Sequence, residues 1–126
     1  MCRIMTLLTL TDCPFCRSNG LLRGEVVAET EGAFLLKGEF GHGTYLIIPD
    51  GHYENLTELP DDWWMDVKQL LPQIPELPES YNLTLNFGKP AGQSVKHLHF
   101  WIIPRAANRS SSGKGLATFV RDTDSL

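Results

Sequence analysis

The stretch NFGKPAGQSVKHLHFWIIPR (residues 86–105) decides the fold of this 126-residue chain. Its second part, HLHFWIIP (97–104), is rich in apolar, aromatic and β-branched residues and predicts a strand that ends at Pro104. A period of two gives one face with His97, His99 and Trp101 and a second, core-facing one with Leu98, Phe100 and Ile102. Two neighbouring imidazoles are costly to bury without partners, so they are either solvated surface side chains or parts of a site.

The turn before this strand favours a site. It ends in Gly92-Gln93-Ser94, which can direct backbone N–H groups, an amide and a hydroxyl at an anion. An imidazole next to an anion pocket is a candidate nucleophile or general acid–base group. A phosphorus centre is a suitable electrophile, because its negative oxygens need such donors.

The other segments predict a single α+β domain with a mainly antiparallel sheet. Strands are indicated at 25–30, 33–40, 44–49 and 81–88, and one helix at 61–71. The helix has a predicted apolar face made of Trp63, Trp64, Val67, Leu70 and Leu71. We expect the domain to span residues 1–107, followed by a flexible tail at 108–126 that could dock locally.

Composition excludes some classes of function. The formal net charge of −4 argues against a non-specific grip on nucleic acid, which needs clustered cations. The longest N-terminal apolar stretch, residues 4–10, is far shorter than a membrane span requires. The chain has three cysteines, and an odd number fits a reducing compartment. We therefore expect a cytoplasmic protein with no nucleic-acid or membrane partner.

Cys13 and Cys16 form a C-x-x-C pair with three readings: a redox centre, half of a metal site, or two unrelated core thiols. A redox fold needs a strand before the pair and a long helix after it. Gly20 and Gly24 interrupt any helix there, which disfavours that reading. A knuckle that supplies two thiolates on one turn suits zinc, which prefers four tetrahedral nitrogen and sulfur ligands.

Residues 86–105 resemble the signature of the histidine-triad (HIT) nucleotide hydrolases and transferases. The positions that match this signature without a gap are Asn86, Gly88, Gly92, Gln93, Ser94, Val95, His97, His99, Pro104 and Arg105. Upstream, residues 44–59 resemble the strand–Pro–x–x–His stretch of the same family, and the resemblance extends over residues 13–105. It implies a HIT-like five-stranded, mainly antiparallel sheet with one main helix, in a homodimer.

The resemblance also implies a mechanism. His99 corresponds to the nucleophile that attacks the α-phosphorus of a nucleotide and forms a covalent nucleotidyl-histidine, which water or another acceptor resolves. Gln93 and Ser94 would bind phosphate oxygens and the leaving side, and Asn86 with Gly92 would shape the loop or hold the phosphate. The implied substrates are nucleoside phosphoanhydrides, such as dinucleoside polyphosphates, or phosphoramidates. No catalytic metal is required.

The chain departs from the family pattern at Trp101, which stands where the third histidine is expected. An indole N–H can donate a hydrogen bond but cannot deliver a proton near neutral pH. Trp101 is therefore either a substrate-binding residue, which favours acceptors other than water or a good leaving group that needs no protonation, or a rim aromatic. A non-catalytic nucleotide-binding protein is the alternative function. The family's acidic ribose ligand also has no clear match: a gapless count gives Leu36 or Lys37, and the nearest carboxylate is Glu39.

In zinc-carrying subsets of this family, the thiolates are joined by the His of Pro-x-x-His and by the first triad histidine. The resemblance thus implies a structural zinc on Cys13, Cys16, His52 and His97, with His42 as a weaker alternative ligand. Such a metal would fix the strand that presents His99. Two reduced thiols without metal remain the open alternative.

Overall fold

The computed structural model describes residues 10–39 and 43–118 and contains a five-stranded sheet with one α-helix. The strands are β1 (Val26–Glu29), β2 (Ala33–Lys37), β3 (Tyr45–Pro49), β4 (Tyr81–Leu85) and β5 (Phe100–Pro104), and the helix is α1 (Trp63–Leu70). Short 3₁₀ turns occur at Arg17–Asn19, Leu56–Glu58, Leu71–Gln73 and Lys89–Ala91. The α+β class is confirmed.

The sheet order is β1-β2-β3-β5-β4, and each neighbouring pair is antiparallel. β5 therefore lies inside the sheet, between β3 and β4. Leu46 and Thr84 are the partners of Trp101 on its two sides. The segment just before β5 is therefore held in place by a strand that has a neighbour on each side.

α1 covers one face of the sheet. Trp63 is almost fully buried, its ring lies 5.2 Å from that of Phe100, and its indole N–H donates to the carbonyl of Gly32 at 3.3 Å. The buried residues of this core are Ala33, Leu35, Tyr45, Ile47, Trp63, Val67, Leu70, Ile74, Phe100 and Ile102. Alternate residues of β2, β3 and β5 face the helix, as the period of two predicts.

The face of the sheet opposite α1 carries a second apolar cluster. Its buried members are Phe34, Leu36, Leu46 and Ile48. Phe15, Leu22, Val26 and Trp101 pack against it and are partly buried. Phe15 of the Cys-x-x-Cys segment and Trp101 of β5 therefore lie on the same face of the sheet.

Several predicted boundaries were too wide. β2 ends at Lys37 rather than residue 40, which lies outside the described residues, and α1 spans 63–70 rather than 61–71. β5 begins at Phe100, so His97 and His99 lie in the segment that leads into it. Trp64 was assigned to the buried face of the helix, but it is 45% exposed.

Residues 105–118 fold back on the end of β5. The guanidinium of Arg105 donates to Asn82 Oδ1 and to the carbonyls of Ser111, at 2.8 Å, and Lys114. The predicted tail at 108–126 is described as far as Thr118, and residues 119–126 lie outside the described part. Its flexibility remains a prediction.

Candidate active site and metal centre

His99 is buried, with 4% of its surface exposed, and its ring has a defined tautomer. Nδ1 lies 2.8 Å from the carbonyl oxygen of His97. Because a carbonyl can only accept, Nδ1 carries the proton and Nε2 keeps the lone pair. Burial lowers the pKa of His99, which also favours the neutral ring. A neutral imidazole with an oriented N–H is a suitable nucleophile.

His99 lines a cleft of about 390 Å³ on the face of the sheet opposite α1. The residues around this cleft are Pro14, Phe15, Leu21, Arg23, Leu36, Lys37, Glu39, Leu46, Ser94, His99 and Trp101. The volume lies in the range of small-ligand sites. The structure thus brings together three predicted site residues, His99, Ser94 and Trp101, around one space.

The other predicted residues of the turn do not line this cleft. Gly92 adopts φ +99°, a conformation that favours glycine, and a Cβ there would lie 3.4 Å from Asn86 Nδ2. The Gln93 amide accepts from the N–H of Gly88 at 2.8 Å and donates to the carbonyl of Val95 at 2.9 Å. These contacts stabilise the turn that precedes Ser94, and the roles of Asn86, Gly92 and Gln93 in substrate binding and catalysis remain predictions.

Trp101 lies beside the nucleophile candidate. Its ring centroid is 6.5 Å from that of His99, with the planes at 67°. It is partly buried and packs on the apolar cluster of Phe34, Leu36, Leu46 and Ile48. The indole is therefore a wall of the cleft and at the same time part of the packing of this face.

A second cluster lies directly behind His99. The ligand atoms of Cys13, Cys16, His52 and His97 all lie within 4.8 Å of one another. His97 Nδ1 is 3.4 Å from Cys13 Sγ and 3.6 Å from Cys16 Sγ, while His52 Nδ1 is 3.4 Å from Cys16 Sγ. Zinc bound tetrahedrally, with Zn–S of about 2.3 Å and Zn–N of about 2.0 Å, would separate sulfur and nitrogen by about 3.5 Å. The four residues could hold a metal of this kind.

Both histidines of the cluster are oriented for metal binding. His97 Nε2 donates to the carbonyl of Pro49 at 2.7 Å, and His52 Nε2 donates to the carboxylate of Glu54 at 2.8 Å. The lone pair is thereby left on Nδ1 in each ring, on the side of the thiols. Ligating histidines usually carry such a partner on the far nitrogen. Burial lowers the pKa of His97 to about 4, so this ring is neutral near pH 7.

The thiols do not have the environment of a redox centre. Both cysteines are buried and free. Burial is the main cause that raises the pKa of the Cys13 thiol, whereas a nucleophilic cysteine needs a lowered one. His42, the weaker alternative ligand, lies outside the described residues.

Two side chains that contact the candidate site were not predicted from the sequence. Phe15, between the two cysteines, lines the cleft, and its ring centroid is 5.0 Å from that of His99. Glu54 orients His52. Phe15 could have been noticed as an aromatic residue inside the knuckle, but no signal in the sequence pairs Glu54 with a ring two residues before it.

The described α+β domain thus places a buried imidazole at a cleft and a Cys₂His₂ cluster next to it. The HIT domain matches residues 25–108 of this chain, which is more than half of its length. The chain belongs to the HIT family.

Relatives and solved structures agree with this membership. The chain is 40% identical over 101 residues to an uncharacterized HIT-like protein of Methanocaldococcus jannaschii. This alignment covers 74% of this chain and 78% of that protein. It is 32% identical to the adenosine 5'-monophosphoramidase of Schizosaccharomyces pombe, in an alignment that covers 86% of this chain and 85% of that protein. A zinc-bound histidine triad family protein from Mycobacterium smegmatis superposes with a TM-score of 0.65 at 25% identity, covering 81% of each chain.

These findings confirm the predicted family and fold, and the phosphoramidase name of a relative agrees with the prediction of an enzyme. In residues 10–39 and 43–118, no helix has the length and apolar character that a bilayer crossing requires. The cytoplasmic location and the homodimer remain predictions.

Proposed function

We propose that this chain is a nucleotide hydrolase or nucleotidyl transferase that acts on nucleoside 5'-phosphoramidates or phosphoanhydrides through a covalent adduct on His99. The observation that carries the proposal is the hydrogen bond from His99 Nδ1 to the His97 carbonyl, which reserves Nε2 for attack. The cleft supplies room for a nucleoside and, in Ser94, a hydroxyl for a phosphate oxygen. The phosphoramidase among the relatives supports the substrate class.

The reaction has two displacements at phosphorus. In the first, the lone pair of Nε2 forms a bond to the α-phosphorus while the bond to the leaving group breaks. A leaving phosphate departs as an anion, and a leaving amine takes a proton from solvent. The proton stays on Nδ1, which donates to the His97 carbonyl, and this hydrogen bond stabilises the positive charge of the adduct. In the second, water or another acceptor attacks the same phosphorus, releases its proton to solvent, and returns the neutral imidazole.

The Cys13, Cys16, His52 and His97 cluster fits a structural zinc in this proposal. All four protein ligands would be used, which closes the ion to substrate. The ion would supply a cross-link rather than a reactive centre. His97 would then have two roles: its side chain binds the metal, and its carbonyl orients His99.

The decisive experiment is intact-mass spectrometry of the wild type, quenched early in acid-free denaturant with a panel of dinucleoside polyphosphates and nucleoside phosphoramidates. We expect a mass increase of one nucleotidyl group, which peptide mapping places on His99. The same panel with His99→Ala is the control and should give no adduct. Turnover by the wild type with an adduct on another residue, or on none under any quench, would contradict the proposed nucleophile.

The non-catalytic alternative rests on one observation, the indole at position 101 beside His99. Under it, the wild type and His99→Ala bind nucleotide with similar affinity and neither turns it over. The adduct experiment separates the two candidates, because the alternative predicts no adduct with any substrate of the panel.

Trp101→His should raise the turnover of substrates with poor leaving groups. An imidazole can protonate a leaving amine or alkoxide, which an indole cannot, and such general acid catalysis contributes about 10²-fold or more. Turnover of a good leaving group, such as a nitrophenolate ester, should change much less. Trp101→Phe is the matched control, because it keeps an aromatic wall without a proton to give. Equal changes with both leaving groups would contradict this role.

A second copy of the chain is the proposed partner on the helix side of β4. β4 has β5 as its neighbour and forms an edge of the described sheet. Leu83 on this strand and Phe87 after it are 39% and 51% exposed, and Trp64 and Met65 of α1 are 45% and 59% exposed. Such apolar exposure at a sheet edge is typical of an interface between copies. Sedimentation equilibrium measures the resulting dimer directly.

A further inference from the structure

The segment between the two cysteines is at once part of the metal cluster and part of the cleft. Cys13 and Cys16 contribute their thiols to the cluster, while Pro14 and Phe15, which lie between them, line the cleft. A change in the position of the thiols therefore moves a wall of the cleft with them.

Phe15 also contacts the proposed nucleophile. Its ring meets that of His99 edge-on, with centroids 5.0 Å apart and planes at 75°, and it meets His97 at 6.0 Å and 89°. These edge-to-face contacts restrict the rotation of both rings. Phe15 thus packs against His97, a residue of the cluster, and against His99 in the cleft.

The chain after the knuckle is anchored without any metal. Arg17 pairs with Glu29 and, at 2.8 Å, with Asp50, and its guanidinium lies 4.4 Å from the ring centroid of Phe34. This anchor holds one end of the segment on the sheet. At the other end, the Cys13 carbonyl accepts from the side-chain amide of Asn19 at 2.9 Å, while the Cys13 thiol lies 3.4 Å from His97 Nδ1. The backbone of the segment is thus held without metal, and the cluster adds the restraint on the Cys13 side chain that faces His97.

We propose that the metal centre and the nucleotide cleft are thermodynamically coupled, and that Phe15 is the positioning residue that transmits the coupling. A bound ion fixes Cys13 and Cys16, which preorganises Phe15 as a cleft wall and as a support for His99. A preorganised cleft binds its ligand more tightly because less ordering is needed on binding. Linkage requires the reverse effect as well: nucleotide must raise the affinity for metal by the same factor. This inference rests on the proposed nucleotide site.

The test measures binding rather than activity, with zinc and adenosine 5'-monophosphate as the probes. Calorimetry gives the nucleotide dissociation constant of the zinc-loaded and the stripped wild type, and a chromophoric chelator gives the zinc affinity with and without saturating nucleotide. We expect a change of about tenfold in each measurement, within the usual range of coupling between sites. Equal nucleotide affinity in both forms of a folded wild type would overturn the inference.

Phe15→Ala identifies the transmitting residue. It should reduce the coupling to less than about twofold while zinc still binds in the absence of nucleotide. Leu22→Ala is the matched control, because Leu22 packs on the same apolar cluster but is not among the residues of the cleft, and it should retain the coupling. Coupling that survives in Phe15→Ala, or is lost equally in the control, would overturn the role of Phe15.

Cobalt(II) in place of zinc keeps the test valid if the stripped chain unfolds, because every sample then stays loaded. Nucleotide should shift the visible ligand-field bands of the cobalt-loaded wild type and Leu22→Ala, and should leave those of Phe15→Ala unchanged. Nucleotide binding without any band shift in the wild type would refute the coupling alone. A loaded wild type that binds none of the nucleotides in the panel would refute the proposed function together with it.

Discussion

His99→Ala should lower the turnover of a nucleoside phosphoramidate by about 10⁴-fold or more, since it removes the atom that forms the bond to phosphorus. The nucleotide dissociation constant should change by less than about threefold, because the other cleft residues remain. Steady-state kinetics at saturating substrate and calorimetry with adenosine 5'-monophosphate measure the two quantities. A loss of turnover without a loss of affinity is the signature of a group that acts on the reacting atom rather than on the bound nucleoside.

Two comparisons make this result specific. Ser94→Ala removes a hydroxyl that lines the cleft but forms no bond to phosphorus, so a smaller loss of about 10–10²-fold is expected. Circular dichroism must show that His99→Ala keeps its fold, because the side chain is buried. If the variant is folded and still turns over substrate at more than about one hundredth of the wild-type rate, the nucleophile lies elsewhere.

The strands and the helix were predictable because their side chains repeat with the period of their structure. The residues of β2, β3 and β5 that face α1 alternate with those that face the cleft, and Trp63, Val67 and Leu70 follow a helical spacing. The start of β5 was not predictable in this way. His97 contacts β3 through its ring, which donates to the Pro49 carbonyl at 2.7 Å. The His97 side chain thus binds the carbonyl at the end of β3, and a sequence pattern with a period of two cannot predict such a contact.

The site was predictable to the extent that its residues fit a known motif. Cys13 and His97 are 84 positions apart, and no local pattern brings them within 3.4 Å. The resemblance to the HIT family supplied that pairing. The contacts of Gln93 within its turn, the carboxylate of Glu54 and the ring of Phe15 depend on side-chain packing, which neither spacing nor motif encodes.

Cys16→Ser should abolish stoichiometric zinc binding and lower the free energy of unfolding by about 4 kcal/mol or more. The Sγ of Cys16 lies 3.4 Å from His52 Nδ1 and 3.6 Å from His97 Nδ1, so its loss removes a ligand that joins both histidines. Loss of a structural metal is one of the few single changes with effects of this size. Elemental analysis of the freshly purified protein and urea unfolding with and without a chelator measure the two quantities.

The destabilisation of Cys16→Ser should result from the loss of the metal and not from the loss of the sulfur atom itself. Cys2→Ser is the matched control, because Cys2 is the third cysteine of the chain and does not belong to the C-x-x-C pair; its variant should keep zinc and stability. A chelator should reduce the stability of the wild type and the control to that of Cys16→Ser, and should leave Cys16→Ser unchanged. A wild type purified without zinc, with the same stability in chelator, would mean that Cys13 and Cys16 are two reduced core thiols.

The same experiment has a consequence for the active site, because His97 links the two centres. Its ring belongs to the metal cluster, while its carbonyl accepts a hydrogen bond from His99 Nδ1 at 2.8 Å. Release of the ion removes the metal bond at His97 Nδ1, while Nε2 still donates to the Pro49 carbonyl and the Leu98 N–H to the Tyr53 carbonyl. The hydrogen bond that selects the tautomer of His99 then loses part of its support. Turnover should therefore fall in Cys16→Ser even at temperatures where the variant remains folded. Readdition of zinc should restore the turnover of the chelator-treated wild type but should not raise that of Cys16→Ser.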